Sequence, residues 1–181
     1  MPVFIFSIAT PYGALPVGIS ICNDETEKTL KQAFEPLKKI FSPKYFMSDD
    51  CSSLKNALNS IWPNSKTLLC HWHFKQAIWT WLTSKNSTIT ENERQEVMLD
   101  ISKAVESQNI DEARNILNAY LKKFHDRPKF CKKITSELNR ISEWSSSFRS
   151  IYFNAWLKKY LNFFDIFISI LRVLFKFYFH F

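Results

Sequence analysis

Residues 44–50 read Lys44-Tyr45-Phe46-Met47-Ser48-Asp49-Asp50, a short β-rich run that ends in two carboxylates. The carboxyl ends of strands face the crevice in which open α/β sheets place their sites, and carboxylate oxygens are ligands for divalent metals. We therefore predict Asp49 as a metal ligand. In the structural alternative, an aspartate after a strand only caps the next helix, a role that suits Asp50.

Strands and helices alternate around this stretch. Residues 3–8 and 15–22 are β-rich and flank the turn residues 11–13, which predicts a hairpin. A helix is predicted over residues 25–41, capped by Asn23-Asp24, and a further strand over residues 67–70. Two more helices are predicted from apolar residues at helical spacing, namely Leu54, Leu58 and Ile61 in one, and Phe74, Ile78, Trp79 and Leu82 in the other. This alternation predicts a mixed α/β fold.

The pattern changes in the second half of the chain. From Glu91 to about Trp144 only helical spacing is present, which predicts an all-helical segment. Residues 161–181 hold seven of the 17 phenylalanines, and we predict a hydrophobic C-terminal helix there, or sequence foreign to the rest of the protein. A membrane-spanning helix is disfavoured, because Asp165 and Arg172 would each cost about 2.5 to 3.5 kcal/mol near its centre.

Composition excludes several classes of function. The chain of 181 residues has only two glycines, five positions apart, so neither a dinucleotide-binding fingerprint nor a P-loop can be written. Its four cysteines are widely spaced and no secretory signal precedes them, which favours a reduced, intracellular protein over a disulfide scaffold.

Positive charge is concentrated at the C-terminal end. Residues 1–120 carry 12 basic and 13 acidic groups, whereas residues 121–181 carry 12 basic and 4 acidic groups. Such an excess suits nucleic acid or anionic lipid, and the alternative is a solvated lysine face. The candidate phosphate-binding residues are Lys122, Lys123, Lys132, Lys133, Lys158 and Lys159.

A second cluster of chemically capable residues is Cys70-His71-Trp72-His73, in which Cys70 and His73 have C-x-x-H spacing. A structural zinc site needs four ligands, and no second pair with suitable spacing is visible. These side chains therefore suit packing and orienting roles, while a thiol hydrolase is the weaker alternative.

The order of several short motifs resembles the Mutator-like element (MULE) transposase domain over residues 1 to about 150. The motifs are Leu15-Pro16-Val17-Gly18, Phe46 to Asp50, Leu54, Ala57-Leu58, Trp62-Pro63, Leu68 to His73, Gln76-Ala77, Trp79 to Leu82, Glu143-Trp144-Ser145 and Phe148-Arg149. The resemblance implies an RNase H-like fold with an all-helical insertion, and DNA cleavage and strand transfer with Mg²⁺ or Mn²⁺. It also places Asp49 on the second acidic residue of the family's triad, and Cys70 with His73 on its C-x-x-H motif.

The sequence departs from the family pattern at both ends. The first acidic residue is expected upstream of Met1, and residues 150–181 contain no glutamate to act as the third. We therefore predict a transposase fragment truncated at both ends, with an incomplete acidic triad and no activity alone. The resemblance divides it into a partial RNase H-like core (1–84), a helical insertion (85–150) and an aromatic-rich tail of unassigned origin (151–181).

Two alternatives to a transposase fragment stay open. One is a domesticated, non-enzymatic DNA-binding or interaction module, and the weaker one is a tail-anchored membrane protein. If the chain is a transposase fragment, we expect DNA as its partner and the nucleus as its location. A homo-oligomer is compatible with this interpretation, and no small-molecule substrate is expected.

Overall fold

The computed structural model describes residues 1–10, 13–149 and 167–174. Strands and helices alternate in the first half of the chain, helices alone follow, and a last strand comes after them. The mixed α/β prediction is confirmed. The strands are β1 (Pro2–Thr10), β2 (Gly13–Ile21), β3 (Tyr45–Ser48), β4 (Lys66–Leu69) and β5 (Phe167–Leu174). The helices are α1 (Glu27–Phe34), α2 (Ser52–Ile61), α3 (His71–Thr83), α4 (Glu91–Glu106), α5 (Ile110–Lys123), α6 (Pro128–Asn139) and α7 (Ile141–Trp144).

The chain divides into two units, Met1–Leu68 with Asn162–Phe181, and Leu69–Leu161. We call them the sheet unit and the helical unit. Within the described ranges, no helix is both long enough and apolar enough to cross a membrane.

Strand β5 lies in the middle of the sheet, whose order is β2-β1-β5-β3-β4. It pairs antiparallel with β1 and parallel with β3, so that Ser169 stands opposite both Ser7 and Met47. The predicted hydrophobic C-terminal helix is thus wrong for residues 167–174. Backbone groups of β1 and β3 obtain hydrogen-bond partners from an extended segment that a helix would not supply. The rest of the predicted tail, residues 151–166 and 175–181, lies outside the described residues.

Aromatic residues form much of the core of the sheet unit. The ring of Phe34 on α1 makes edge contacts with Phe4 and Phe6 of β1, at centroid distances of 5.5 and 4.9 Å. Beyond α2, the indole of Trp62 stacks on Phe41 and donates a 3.1 Å hydrogen bond to its carbonyl oxygen. These contacts pack α1 and the end of α2 with one face of the sheet.

Helix α1 is shorter than its apolar spacing predicted. Its N-cap is Thr26, whose side chain accepts from the Thr29 amide, and Asp24 instead accepts from the Thr26 amide at 2.9 Å. The α-helix ends at Phe34 and continues as a 3₁₀ turn over Glu35–Lys39, which contains Pro36. Proline has no amide hydrogen to donate, so an α-helix that continued through residue 36 would lose a bond there.

The helical unit has a core of its own. Trp144 stacks on Phe74 at 4.9 Å and donates to the carbonyl oxygen of Glu137, whose carboxylate is 1% exposed and paired with Lys133 and Arg140. The predicted buried stripe of α3 is confirmed for Phe74, Ile78 and Leu82, but Trp79 is 43% exposed and does not belong to it.

An ion pair joins α4 to the turn between α5 and α6. Both guanidinium nitrogens of Arg127 reach the Glu93 carboxylate, at 2.8 and 2.9 Å. Glu93 also completes a capping box with Thr90. These hydrogen bonds, chiefly those from Arg127, lower the pKa of Glu93 to about 2.

Replacing Phe34 with alanine tests the packing of α1 on β1. The ring is fully buried between two phenylalanines, so Phe34→Ala should lower the free energy of unfolding by about 3 to 5 kcal/mol. Urea unfolding followed by circular dichroism measures this change. Ile40, which is 73% exposed, provides the control, and Ile40→Ala should stay within about 0.5 kcal/mol of the parent. Equal effects of the two changes would contradict the packing.

Proline at position 169 tests the central place of β5. Proline removes the amide hydrogen from a residue that faces both β1 and β3, and central strands do not tolerate it. We expect Ser169→Pro to abolish hydrogen-exchange protection in β1 and β3, while Ser169→Ala, which keeps the amide, preserves it. Wild-type protection in the proline variant would refute the central position.

Candidate functional site

Asp49 follows β3 directly and lies at the start of α2. Its Oδ1 accepts a hydrogen bond from the Cys51 amide at 3.3 Å, and its carbonyl oxygen accepts one from the Ser48 hydroxyl at 2.9 Å. The carboxylate is therefore held by the turn that joins strand to helix. Its place at the carboxyl end of a strand agrees with the position that the sequence indicates.

Asp50 does not cap α2, and this prediction is wrong. The N-cap residue is Cys51, with no side-chain capping bond, and the Asp50 carboxylate pairs with Lys55 at 3.3 Å. The lysine one turn into the helix provides a charge-assisted partner for this carboxylate.

The described residues do not assemble a metal site around Asp49. Across residues 1–10, 13–149 and 167–174, no group of three or more histidine, cysteine, aspartate or glutamate side chains is placed to hold an ion. A two-metal centre needs several oxygen ligands that converge. One carboxylate bound to a backbone amide does not fit that requirement, so we assign no catalytic step, and Asp49 stays a predicted ligand.

The Cys70 to His73 motif lies where β4 passes into α3. Cys70 is the N-cap residue, with extended backbone, and α3 begins at His71. The Nδ1 atom of His73 is buried, and no hydrogen-bond partner for it is found among the described residues. Cys70 and His73 thus flank the first turn of α3, without a third metal-binding side chain in the described ranges.

His71 is half-buried and uncharged at neutral pH. Burial and the nearby guanidinium of Arg149 lower its pKa to about 4. A hydrogen bond with the backbone of Trp144 acts in the opposite direction and raises the pKa. A general base is most effective when its pKa lies near the working pH. His71 is therefore a poor partner for a cysteine nucleophile, which argues against the thiol hydrolase alternative.

Arg149 reaches the same junction from a distant part of the sequence. Its guanidinium donates to the carbonyl oxygen of Leu69, the last residue of β4. Burial lowers the pKa of Arg149 to about 10, and Cys70 acts in the opposite direction. The resemblance marked Trp144 and Arg149 without giving them a role. In the structure both residues contact the β4–α3 junction. Trp144 stacks on Phe74 and its backbone forms a hydrogen bond with His71, and Arg149 donates to the Leu69 carbonyl oxygen.

The predicted phosphate-binding lysines fall into three groups. Lys123 pairs with Glu96 at 2.7 Å and Lys133 pairs with Glu137 at 2.6 Å, so their charges are already matched. Lys122 and Lys132 are exposed, and neither forms an ion pair with another described residue. Lys158 and Lys159 lie outside the described residues.

Two further exposed basic side chains lie beside the predicted lysines. Lys129 is exposed at the start of α6 and lies one turn before Lys132, and His125 is exposed in the turn between α5 and α6. The Nδ1 atom of His125 is 3.1 Å from the Lys122 carbonyl oxygen. We call Lys122, His125, Lys129 and Lys132 the α5–α6 basic surface. The density of basic residues between positions 122 and 133 was the available signal.

His71 makes the stability of the helical unit depend on pH. Its pKa is about 4 in the folded chain and near 6.5 when unfolded, so the unfolded state binds more protons between these values. Stability is then complete above about pH 6.5 and decreases as the pH falls toward 4. We expect a loss of at most about 3 kcal/mol in urea unfolding across this window, most of which His71→Gln should remove. His125→Gln, at an exposed position, is the control and should leave the loss unchanged. A His71→Gln profile equal to the wild-type profile would contradict this origin.

Comparison with known proteins identifies part of the chain. The family model of the MULE transposase domain matches residues 1–77, which extend from β1 into α3 and include Asp49, Cys70 and His73. No curated protein and no solved structure matches the chain. The part of the resemblance that lies beyond residue 77, including Trp144 and Arg149, stays a prediction. Over residues 1–77 the predicted resemblance is confirmed, because this part of the chain matches the family model of the MULE transposase domain.

Proposed function

We propose that the protein acts in DNA transposition as a transposase-derived chain that binds DNA. The observation that carries this proposal is the family match over residues 1–77. The match includes both motifs whose side chains could bind a metal or react, namely Asp49 after β3 and Cys70 with His73 at the β4–α3 junction. The proposal includes the nucleus as the compartment in which the chain meets DNA, and allows a homo-oligomer.

The sheet unit is proposed to be RNase H-like. A β1–β2 hairpin at one edge, a parallel pair of β3 with β5, and a carboxylate directly after β3 support this assignment. In the intact family, Mg²⁺ or Mn²⁺ supplies the Lewis acid for cleavage and strand transfer. Asp49 is proposed to contribute one ligand to such a centre.

Cleavage by the described residues alone is not part of the proposal. The described ranges provide no converging set of ligands, and a single carboxylate does not hold two metals. This observation favours the second candidate function, a domesticated module that binds DNA without cutting it. Strand transfer restored by added acidic residues would favour the transposase fragment, and binding without cleavage in Mg²⁺ and Mn²⁺ would favour the module.

The α5–α6 basic surface is the proposed contact for DNA phosphates. Lys122, Lys129 and Lys132 are exposed and have no ionic partner among the described residues, so binding phosphate breaks no ion pair there. Lys123 and Lys133 would first have to leave Glu96 and Glu137. Lys158 and Lys159 remain proposed contributors from the C-terminal side.

Neutralising this surface tests the proposal. Each phosphate contact contributes about 0.9 to the slope of log affinity against log salt. The triple variant Lys122→Gln, Lys129→Gln, Lys132→Gln should therefore bind duplex DNA more weakly at low salt, with a slope reduced by about 2 to 3. Filter binding across a salt series measures both quantities.

A matched control removes the same charge elsewhere. Lys28, Lys38 and Lys39 are exposed residues of the sheet unit, and their triple glutamine variant should keep nearly the wild-type slope. Equal losses in both triple variants would show that only net charge matters. Absence of wild-type binding to DNA at low salt would refute the proposal.

A further inference from the structure

Helix α3 presents two aromatic rings to solvent. Its buried side carries Phe74, Ile78 and Leu82, whereas Trp72 is 63% exposed and Trp79 is 43% exposed. The outer side of an amphipathic helix normally carries charged and polar residues. Large exposed rings on that side indicate a surface that contacts a partner.

The two tryptophans lie on the same side of the helix. They are seven positions apart, which is two turns and about 10 Å along the axis. Gln76 lies between them and is exposed. The Trp72 ring is fixed in part by an edge contact with His73 at a centroid distance of 4.7 Å. We call Trp72, Gln76 and Trp79 the α3 aromatic face.

The charge around this face suits a polyanion. No aspartate or glutamate occurs between Asp50 and Glu91, and Lys75 and Lys85 lie on α3 and directly after it. Glu106 neutralises Lys75 through a 2.6 Å ion pair, so no free carboxylate faces the helix at that contact, and the exposed Lys85 keeps its charge available. Trp72 also lies in the first turn, where the helix dipole adds a partial positive charge.

The exposed side chains of α3 favour contact with planar ring systems over contact with the aliphatic side chains of another protein. Beside the tryptophans, the exposed residues of α3 are Gln76, Ala77, Thr80 and Thr83. Leucine, isoleucine and valine, which dominate apolar protein contacts, are absent from the exposed positions of this helix. Aromatic rings interspersed with basic residues and lacking carboxylates are typical of surfaces on which nucleic-acid bases stack.

We propose that the α3 aromatic face binds unpaired bases of single-stranded DNA, with Trp72 and Trp79 each stacking on a base. This inference rests on DNA as the partner under the proposed function, and adds a second surface that recognises bases rather than phosphates. In a duplex the base faces are already stacked on their neighbours. The α3 aromatic face therefore prefers strands whose bases are unpaired.

The test compares two pairs of substitutions in the full chain. Trp72→Leu with Trp79→Leu keeps apolar side chains but removes both rings, whereas Trp72→Phe with Trp79→Phe keeps a ring at each position. Binding to labelled oligothymidine and to a duplex of equal length is followed by fluorescence anisotropy. We expect the leucine variant to lose roughly tenfold in affinity for oligothymidine for each ring removed. The phenylalanine variant should retain most of the affinity, and duplex binding should be unchanged in both.

Two further measurements separate stacking from other effects. Oligothymidine should quench tryptophan fluorescence in the wild-type chain and much less in the leucine variant. Leu99 is 65% exposed on α4, and Leu99→Ala is the control for loss of an exposed apolar side chain, with no change expected. Wild-type oligothymidine affinity in the leucine variant would overturn the inference, as would equal losses in the leucine and phenylalanine variants.

The outcomes also distinguish this inference from the proposed function. If the lysine triple variant loses duplex binding while the tryptophan variants bind oligothymidine as the wild type does, the proposed function stands and the α3 inference fails. If the wild-type chain binds neither DNA, both fail. Selective loss of oligothymidine binding in the leucine variant alone supports the inference.

Discussion

The backbone pairing of β5 is the interaction on which the sheet unit depends. Strand β5 stands between β1 and β3, so these two strands obtain their hydrogen-bond partners on that side from the last described residues of the chain. Buried strands with an unpaired edge would carry a row of unsatisfied amide and carbonyl groups. Because Asp49 follows β3, its position relative to the β1–β2 hairpin is set through β5.

Local features of this fold were accessible from the sequence, and non-local ones were not. The β-rich run over residues 44–48 correctly predicts β3, and apolar spacing correctly predicts the buried side of α2 and, apart from the exposed Trp79, that of α3. The apolar run around residues 167–174 suits either helix or strand by periodicity alone. The strand conformation is decided by the open position between β1 and β3. These two strands lie about 40 positions apart in the sequence, and no local pattern encodes the space between them. Similarly, Pro36 shortened α1 although the apolar spacing continued to Phe41.

The candidate site shows the same division. Asp49, Cys70 and His73 were recognisable from motifs, and their placement after β3 and at the start of α3 agrees with those motifs. The role of Arg149 at the Leu69 carbonyl needs a contact across 80 positions. Counting lysines likewise overstated the charge available to a partner, because Lys123 and Lys133 pair with carboxylates brought close by helix packing and helical spacing. Lys129 belongs to no Lys-Lys pair and was not predicted, although basic residues are dense between positions 122 and 133.

A metal centre and a DNA-binding surface place different structural demands on a protein. A two-metal centre requires several carboxylates to converge within a few ångströms, so it depends on the full strand order around Asp49. Contacts to phosphates and bases require only exposed cations and rings on stable helices. In the helical unit that stability comes from its own core, through Trp144 on Phe74 and the buried Glu137 ion pairs. The two surfaces proposed for DNA can therefore persist where an acidic set is incomplete, since none of their residues is a predicted metal ligand.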